Sequence, residues 1–173
     1  MIIWIIGLAG SGKTTIGRLV YAELKKHQPS TVFLDGDCFR AIMGNDLGHT
    51  LGDREANGER MFKLCSYLDS ENINVVCAIL SLFPQQRLAC RRTFSRYLEV
   101  FVKVPMKELI RRDQKGLYSG AISGKVKNVV GIDIPFIEPE NPHLTLENQG
   151  LLEELPSLAE KILQEIKKDK KQL

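Results

Sequence analysis

The chain has 173 residues, of which 43% are hydrophobic and 26% are charged, and its formal net charge is +3. This length and balance predict one globular domain over residues 1–173, and the charge is too small to favour nucleic acid as the main partner. The apolar run at residues 2–6 is far shorter than the roughly 20 residues of a membrane helix, so we expect no membrane partner either.

The cysteines carry no metal or disulfide signature. Cys38, Cys65, Cys77 and Cys90 form no C-x-x-C pair and no zinc-type spacing. We therefore expect reduced thiols in the core or in a pocket, as in a cytoplasmic protein.

Hydrophobic periodicity predicts strands that alternate with helices along the chain. Strands are expected at residues 1–6, 31–34, 74–80, 98–104 and 143–146, and helices after residue 12, at 53–70, 85–96 and 105–112, and from residue 156 onward. Residues 113–142 are rich in Gly, Lys and Pro and have no clear period, which indicates a long functional loop or lid, whereas the Lys-rich end at 167–173 is expected to be solvated. This order predicts the α/β class, a three-layer fold with a parallel sheet of about five strands, whose ligands bind beyond the carboxyl ends of the strands.

A phosphate-binding loop follows the first predicted strand. Residues 7–14, GLAGSGKT, fit the pattern G-x-x-x-x-G-K-[ST] between a strand and a helix, which is the context that the pattern requires. Glycines let backbone N–H groups surround phosphate oxygens, the Lys13 ammonium binds the β- and γ-phosphates, and the Thr14 hydroxyl binds Mg²⁺. The residues predicted to bind the nucleotide are Gly7, Leu8, Ala9, Gly10, Ser11, Gly12, Lys13, Thr14 and Thr15. The guanine-recognition string N-K-x-D is absent from the sequence, so a small kinase fits better than a GTPase switch.

Acidic and basic side chains cluster after the second predicted strand. One carboxylate of Asp35 and Asp37 would hold the Mg²⁺ shell or accept the proton of an attacking hydroxyl. The alternative is a simple turn in which Asp37 caps a helix at residues 39–43. Arg40, Arg54 and Arg60 together suggest a second anionic substrate, although each alone is typical of a solvated helix residue.

The motifs extend over most of the chain in a fixed order. They are Gly7–Thr14, LDGD at 34–37, Arg40, DLG at 46–48, DR at 53–54, Asn57, Arg60, Ser81, EVFV at 99–102, RD at 112–113, KGLY at 115–118, KN at 127–128, GID at 131–133 and PENP at 139–142. This set resembles the adenylyl-sulfate kinase family, whose members transfer the γ-phosphate of ATP to a ribose 3′-hydroxyl. The resemblance implies ATP and Mg²⁺ as cofactors and a homodimer as the assembly.

The resemblance also assigns roles to individual residues. Catalysis would involve Lys13, Asp35, Asp37 and Ser81, with Thr14 and Asp37 at the metal and with Arg112 and Lys115 beside the donor nucleotide. Ser81 matches a serine that is sometimes described in the family as a phosphorylated intermediate. Direct in-line transfer needs no such covalent step. The acceptor pocket would contain Asp37, Arg40, His49, Arg54, Asn57, Ser81, Lys127, Val129, Gly131 and Ile132.

Three departures from the family pattern lie on the acceptor side. Where the family reads D-L-G-F, this chain has His49 in place of the phenylalanine. Where the family reads K-N-F-T-G, it has Val129 in place of the phenylalanine. In the family these two phenylalanines enclose adenine, and both are absent here. The family's S-P-Y-R reads SLFP at residues 81–84, where proline replaces the arginine. Base stacking on an aromatic ring contributes about 1–3 kcal/mol, so these changes favour another nucleotide. They resemble the cytidine diphosphoramidate kinase branch of bacterial capsule biosynthesis, in which O-methyl phosphoramidate is added to polysaccharide.

Other functions remain open at this point. The first is an adenylyl-sulfate kinase with altered pocket residues. The others are a nucleotide-binding protein without catalysis, which retention of the catalytic residues disfavours, and a shikimate- or gluconate-type kinase, which the lid motifs disfavour.

Overall fold

The central sheet of the computed structural model is parallel throughout. Within residues 1–149 and 152–169, which the structure describes, five strands are present: β1 (Ile2–Ile6), β2 (Thr31–Asp35), β3 (Asn74–Ile79), β4 (Tyr97–Lys103) and β5 (Leu144–Glu147). Their spatial order is β2-β3-β1-β4-β5. Because every neighbouring pair is parallel, the carboxyl ends of all strands meet at one edge. The predicted α/β class and sheet are thereby confirmed.

The helices connect these strands in chain order. They are α1 (Lys13–His27), α2 (Gly36–Ile42), α3 (Leu51–Ser70), α4 (Pro84–Thr93), α5 (Met106–Arg112), α6 (Leu117–Ile122) and α7 (Leu155–Asp169), with short 3₁₀ turns at Gln114–Gly116 and Leu152–Glu154. In the described part of the chain, no helix combines the length and apolar character needed to cross a membrane. Residues 170–173 of the Lys-rich end lie outside the described residues.

The two faces of β1 belong to two separate cores. Ile3 and Ile5 point toward α1 and α7, where they pack with Val20 and Ile162. Ile2, Trp4 and Ile6 point toward α3 and α4 on the opposite face. A strand buried on both sides must be apolar at every position, which explains the uninterrupted run at the start of the sequence.

The helix boundaries differ from the predictions where local hydrogen bonds or packing decide them. Helix α3 begins at Leu51 because Thr50 and Asp53 form a capping box. Helix α4 ends at Thr93, before the predicted residue 96, since the ring of Phe94 turns inward against Trp4 and Phe62.

The segment at 113–142, predicted as a long functional loop or lid, contains regular structure. It contains the 3₁₀ turn and helix α6, whose Tyr118 is buried and donates its hydroxyl proton to the carbonyl of Ala9 at 2.8 Å. The Asp113 carboxylate accepts hydrogen bonds from the first N–H groups of this helix, at Tyr118 and Ser119. The glycine-rich composition concealed this helix, because glycine lowers helix propensity.

We expect the contact between α1 and α7 to dominate the stability of one core. Ile162 of α7 is fully buried, so Ile162→Ala should lower the free energy of unfolding by about 2–5 kcal/mol, as other buried isoleucine truncations do. Urea denaturation measures this loss. The exposed neighbour Lys161→Ala is the matched control and should change the free energy of unfolding little; equal losses in both variants would contradict the packing described.

Candidate functional site

A cavity of about 620 Å³ opens at the carboxyl ends of β1, β2 and β3. Parallel α/β sheets bind ligands at this edge. The predicted site residues that line it are Ala9, Gly10, Lys13, Thr14, Thr15, Asp35, Asp37, Arg40, His49, Arg54, Asn57, Ser81, Lys115, Lys127 and Val129. Residues from five separate parts of the sequence are therefore brought together as expected.

The phosphate-binding loop has the backbone geometry that anion binding requires. Gly10 and Gly12 have φ angles of +77° and +90°, a left-handed conformation that glycine adopts without strain. Helix α1 begins immediately afterward, and within the described residues no side chain caps its N-terminus. Its first N–H groups and its dipole therefore face the cavity, as in other phosphate sites. The fit to the phosphates of a nucleoside triphosphate is good.

Lys13 is held close to this loop. Its ammonium donates a hydrogen bond to the carbonyl of Leu8 at 3.1 Å. Burial lowers the pKa of Lys13, while the carboxylates of Asp35 and Asp37 offset part of that effect. A polyanion in the loop would favour the charged form further.

Asp35 uses both oxygens of its carboxylate. Oδ2 accepts a hydrogen bond from the Thr14 hydroxyl at 2.7 Å, and Oδ1 accepts from the backbone N–H groups of Asp37 and Cys38 at 3.0 and 3.3 Å. The N-cap of α2 is therefore Asp35, and the alternative in which Asp37 caps a helix at 39–43 is wrong. A hydroxyl and a carboxylate in contact are oxygen ligands suited to Mg²⁺.

Asp37 lies two residues further on and has a different environment. Its carboxylate is exposed and is 3.4 Å from the ammonium of Lys115, which belongs to the lid. The sequence assigned Thr14 and Asp37 together to the metal, but the structure pairs Thr14 with Asp35 instead. The exposed Asp37 carboxylate is accessible to a hydroxyl that enters the cavity.

Arg40 and Arg54 bind the loop that carries His49. Arg40 Nη1 donates to the carbonyls of Leu47 and Gly48 at 3.2 and 2.8 Å. Arg54 Nε donates to the carbonyl of His49 at 2.9 Å, and its Nη2 donates to the carbonyl of Asn128 in the lid at 2.8 Å. Both guanidinium groups thus shape the cavity as well as lining it.

Arg60 is not part of the cavity lining. It forms a bidentate ion pair with Asp46, both distances being 2.8 Å, at the surface. The suggestion that it joins a cluster for a second anionic substrate is therefore wrong for this residue.

Ser81 is fixed by the first strand of the sheet. Its hydroxyl accepts a hydrogen bond from the indole N–H of Trp4 at 3.0 Å, and its carbonyl accepts one from the buried guanidinium of Arg87 at 2.6 Å. Its φ angle of +52° is rare for a residue with a side chain. These contacts set the position of the Ser81 hydroxyl in the cavity wall.

The lid residues divide between two places. Gly131 and Ile132 line a second cavity of about 430 Å³, together with Leu8 and Met106, instead of the main one. Val129 lines the main cavity but is only 2% exposed, because it packs with Leu109 and Tyr118. The Asp133 carboxylate accepts from the N–H groups of Asn128 and Val129, which fixes this turn.

Arg112 links the phosphate-binding loop to the residue that follows β5. Its Nη1 donates to the carbonyl of Gly10 at 3.3 Å, and its Nη2 donates to the carbonyl of Asn148 at 3.1 Å. Asn148 in turn donates its amide N–H to the carbonyl of Ser11 at 2.7 Å. Arg112 is therefore adjacent to the phosphate-binding loop, although it does not line the main cavity.

Several lining residues were not singled out from the sequence as members of the site. Among them are Gly58 on α3, Phe83, Gln86 at the start of α4, and Val130. The departure from the family pattern at residues 81–84 was the available signal for Phe83, which lies within that segment.

The comparisons with known proteins agree on one family. Residues 1–147 match the sequence model of the family described as adenylylsulphate kinase. The chain belongs to the adenylyl-sulfate kinase family. It is therefore a kinase that phosphorylates a hydroxyl group of a nucleotide, and the expected cofactors, ATP and Mg²⁺, are confirmed at the level of the family.

Two relatives with different names have the same sequence identity to this chain. An adenylyl-sulfate kinase of Thermodesulfovibrio yellowstonii is 40% identical over 147 residues, covering 84% of this chain and 74% of the relative. A cytidine diphosphoramidate kinase of Campylobacter jejuni is 40% identical over 142 residues, covering 80% and 81%. Among solved structures, a Mycobacterium tuberculosis adenylyl-sulfate (APS) kinase in complex with AMPPNP and APS has a TM-score of 0.85 at 30% identity, with 96% of each chain covered.

The two oxygens of Asp35 give a prediction that separates metal binding from folding. Asp35→Asn keeps an acceptor for the N-cap of α2 but removes the negative charge beside Thr14. We expect the affinity for ATP to fall at least about tenfold with Mg²⁺ present, because the metal loses a charged ligand. In EDTA we expect no loss of affinity, because without the metal the carboxylate repels the phosphates. Calorimetric titration in both buffers measures this.

Asp35→Ala serves as the comparison variant. It should lose the same metal-dependent affinity and also about 1 kcal/mol of folding stability, since alanine cannot cap α2. An equal loss of ATP affinity with and without Mg²⁺ in Asp35→Asn would contradict the proposed metal contact.

His49 gives a prediction about protonation. Partial burial lowers the pKa of His49 below the ordinary value of 6.5, and the cations Arg54 and Arg40 lower it further by opposing the imidazolium. Removing one cation makes protonation easier, so Arg54→Met should raise the pKa. Histidine NMR titration measures it, with Arg18→Met on α1 as the control that should leave it unchanged; a pKa in Arg54→Met no higher than in the unsubstituted protein would refute the electrostatic explanation.

Proposed function

We propose that this kinase transfers the γ-phosphate of ATP to the ribose 3′-hydroxyl of cytidine diphosphoramidate. The observation that carries the proposal is the composition of the cavity wall where the family places two phenylalanines. His49 is there on one side, and Val129, almost fully buried, is on the other. Neither offers the broad aromatic surface that stacks on a purine, whereas a smaller pyrimidine needs less.

Each catalytic residue has a role that follows from its contacts. The N–H groups of the phosphate-binding loop and Lys13 would bind the β- and γ-phosphates of ATP, and Thr14 and Asp35 would hold Mg²⁺. Bound Mg²⁺ neutralises charge on the phosphate oxygens during transfer. Asp37 would accept the proton of the 3′-hydroxyl, because its carboxylate is exposed to the cavity.

The lid and the fixed serine would complete the site. Lys115, which pairs with Asp37 across the cavity, would contact the transferred phosphate once the nucleotides bind. The Ser81 hydroxyl, held by Trp4, would orient the acceptor and would not form a covalent intermediate. Arg40, Asn57 and Lys127 would contact the anionic part of the acceptor.

A second candidate is supported by the comparisons. The adenylyl-sulfate kinase of Thermodesulfovibrio yellowstonii is as similar in sequence as the cytidine diphosphoramidate kinase. Adenylyl sulfate is therefore the alternative acceptor, with 3′-phosphoadenylyl sulfate as the product.

We further propose a cytoplasmic homodimer. The resemblance implies the homodimer, and the thiols suit a reducing compartment: Cys65, Cys77 and Cys90 lie in one buried cluster as free thiols.

A coupled assay of ADP release tests the proposed acceptor. With Mg-ATP, we expect kcat/KM to be at least about tenfold higher for cytidine diphosphoramidate than for adenylyl sulfate, since His49 and Val129 replace the two phenylalanines of the family pattern. The reverse preference would identify an adenylyl-sulfate kinase. Binding of ATP without turnover of either acceptor would favour a nucleotide-binding protein.

A further inference from the structure

One wall of the main cavity has, apart from Asn57, no role in the reaction described above. It is formed by Leu82, Phe83 and Gln86 at the start of α4 and by Asn57 and Gly58 of α3, which face them. The phosphate-binding loop and Asp37 occupy the donor side, and His49 and Val129 occupy the proposed base side. The remaining wall is therefore available to the terminal group of the acceptor's diphosphate-like chain.

This wall can accept an anion through backbone groups. Helix α4 has ten residues, begins with Pro84 at its first position, and has no side-chain cap among the described residues. Proline lacks an N–H group, but the N–H groups of Gln85 and Gln86 lie in the first turn. They and the helix dipole favour negatively charged oxygens at this end of the cavity.

Gln86 adds a hydrogen-bond acceptor of fixed orientation to the same wall. Its side-chain Nε2 donates to the backbone carbonyl of Glu55 at 3.1 Å. A carbonyl can only accept, so this contact identifies the nitrogen and turns Oε1 the other way. Within residues 1–149 and 152–169, no protein donor is bonded to this Oε1.

Gly58 is what allows this arrangement. A Cβ atom at position 58 would overlap the Gln86 Oε1 atom. The amide therefore lies directly against α3, and any larger residue at 58 would displace it. The acceptor atom is held in place by a hydrogen bond on one side and by close packing on the other.

We infer that Gln86 Oε1 accepts a hydrogen bond from the amino group of a terminal phosphoramidate and thereby distinguishes this group from a sulfate. This inference rests on the proposed function and specifies how its acceptor is recognised. A P–NH₂ group donates hydrogen bonds, whereas every terminal oxygen of a sulfate only accepts them. A sulfate oxygen facing Gln86 Oε1 would place two acceptors against each other. Both oxygens would lose water there without gaining a hydrogen bond.

Charge alone would not make this distinction. A nucleoside diphosphoramidate and a nucleoside phosphosulfate each carry one negative charge on the terminal group at neutral pH, so the helix N-terminus attracts both. The two terminal groups differ in what they offer to Gln86 Oε1, because P–NH₂ donates a hydrogen bond and a sulfate oxygen cannot.

The test varies the terminal group while the base stays the same. ADP release is measured with cytidine diphosphoramidate and with cytidine 5′-phosphosulfate, which differ only at the terminal group. For the unsubstituted kinase we expect kcat/KM to be about tenfold higher with the phosphoramidate. In Gln86→Leu we expect this ratio to fall to within about threefold, because activity toward the phosphoramidate falls while activity toward the phosphosulfate stays the same or rises.

Two further variants keep the result interpretable. Gln85→Leu changes the exposed neighbour on α4, which does not line the cavity, and should retain the full preference. Gln86→Met keeps the approximate length of the side chain but supplies no amide oxygen, so its preference should fall as in Gln86→Leu. Thermal unfolding of each variant verifies that the fold is intact, and Gln86→Met still tests the inference if Gln86→Leu does not fold.

The outcomes separate this inference from the proposed function. If cytidine diphosphoramidate is a good acceptor but Gln86→Leu loses activity equally toward both cytidine compounds, the proposed function stands and the role of Gln86 is refuted. Equal use of both compounds by the unsubstituted kinase also refutes it. If adenylyl sulfate is the preferred acceptor and neither cytidine compound reacts, the proposed function itself has failed.

Discussion

The carboxylate of Asp35 is the contact on which the rest of the site depends. It joins the phosphate-binding loop, through Thr14, to the first turn of α2, which carries Asp37 and Arg40. Direct transfer requires that the γ-phosphate and the acceptor hydroxyl be held in line. A displacement of either group by about 1 Å slows the reaction strongly. A single side chain at the end of β2 thus connects Thr14, a proposed metal ligand, to the helix that carries the proposed base. The parallel sheet places this strand end at the same edge as the loop after β1.

Arginine side chains maintain the shape of the acceptor side. Arg40 and Arg54 bind four backbone carbonyls, at Leu47, Gly48, His49 and Asn128. Because Asn128 belongs to the lid, Arg54 also links the lid to α3. Their guanidinium groups are planar and carry five donors each, so they can shape the walls and still present donors to an anion. We therefore expect the smaller residues around them to decide the identity of the acceptor.

The sequence predicts the sheet, the phosphate-binding loop and the family from local patterns. The run Ile2–Ile6 and residues 7–14 suffice for the first strand and the loop, since both depend on neighbours in sequence. The pairing of Thr14 with Asp35 was not predicted, because alternation at a strand end leaves the direction of two nearby carboxylates undetermined. Likewise, Gln86 gave no signal, as its role depends on Gly58, which is 28 residues earlier in the chain. The ordered lid helix was missed because its stability comes from Tyr118 reaching Ala9 and from the Asp113 contacts, which are tertiary or irregular interactions.

The hydrogen bond between Trp4 and Ser81 also gives the protein a built-in optical reporter. Trp4 is the single tryptophan of the chain, and its indole N–H is bonded to a hydroxyl in the cavity wall. Indole emission depends on the polarity and hydrogen bonding of its surroundings, and here the ring is otherwise enclosed by Phe94 and the apolar core. Any acceptor that draws the Ser81 hydroxyl toward itself will alter that emission. Nucleotide binding on the acceptor side can thus be followed by intrinsic fluorescence, without a label and without turnover.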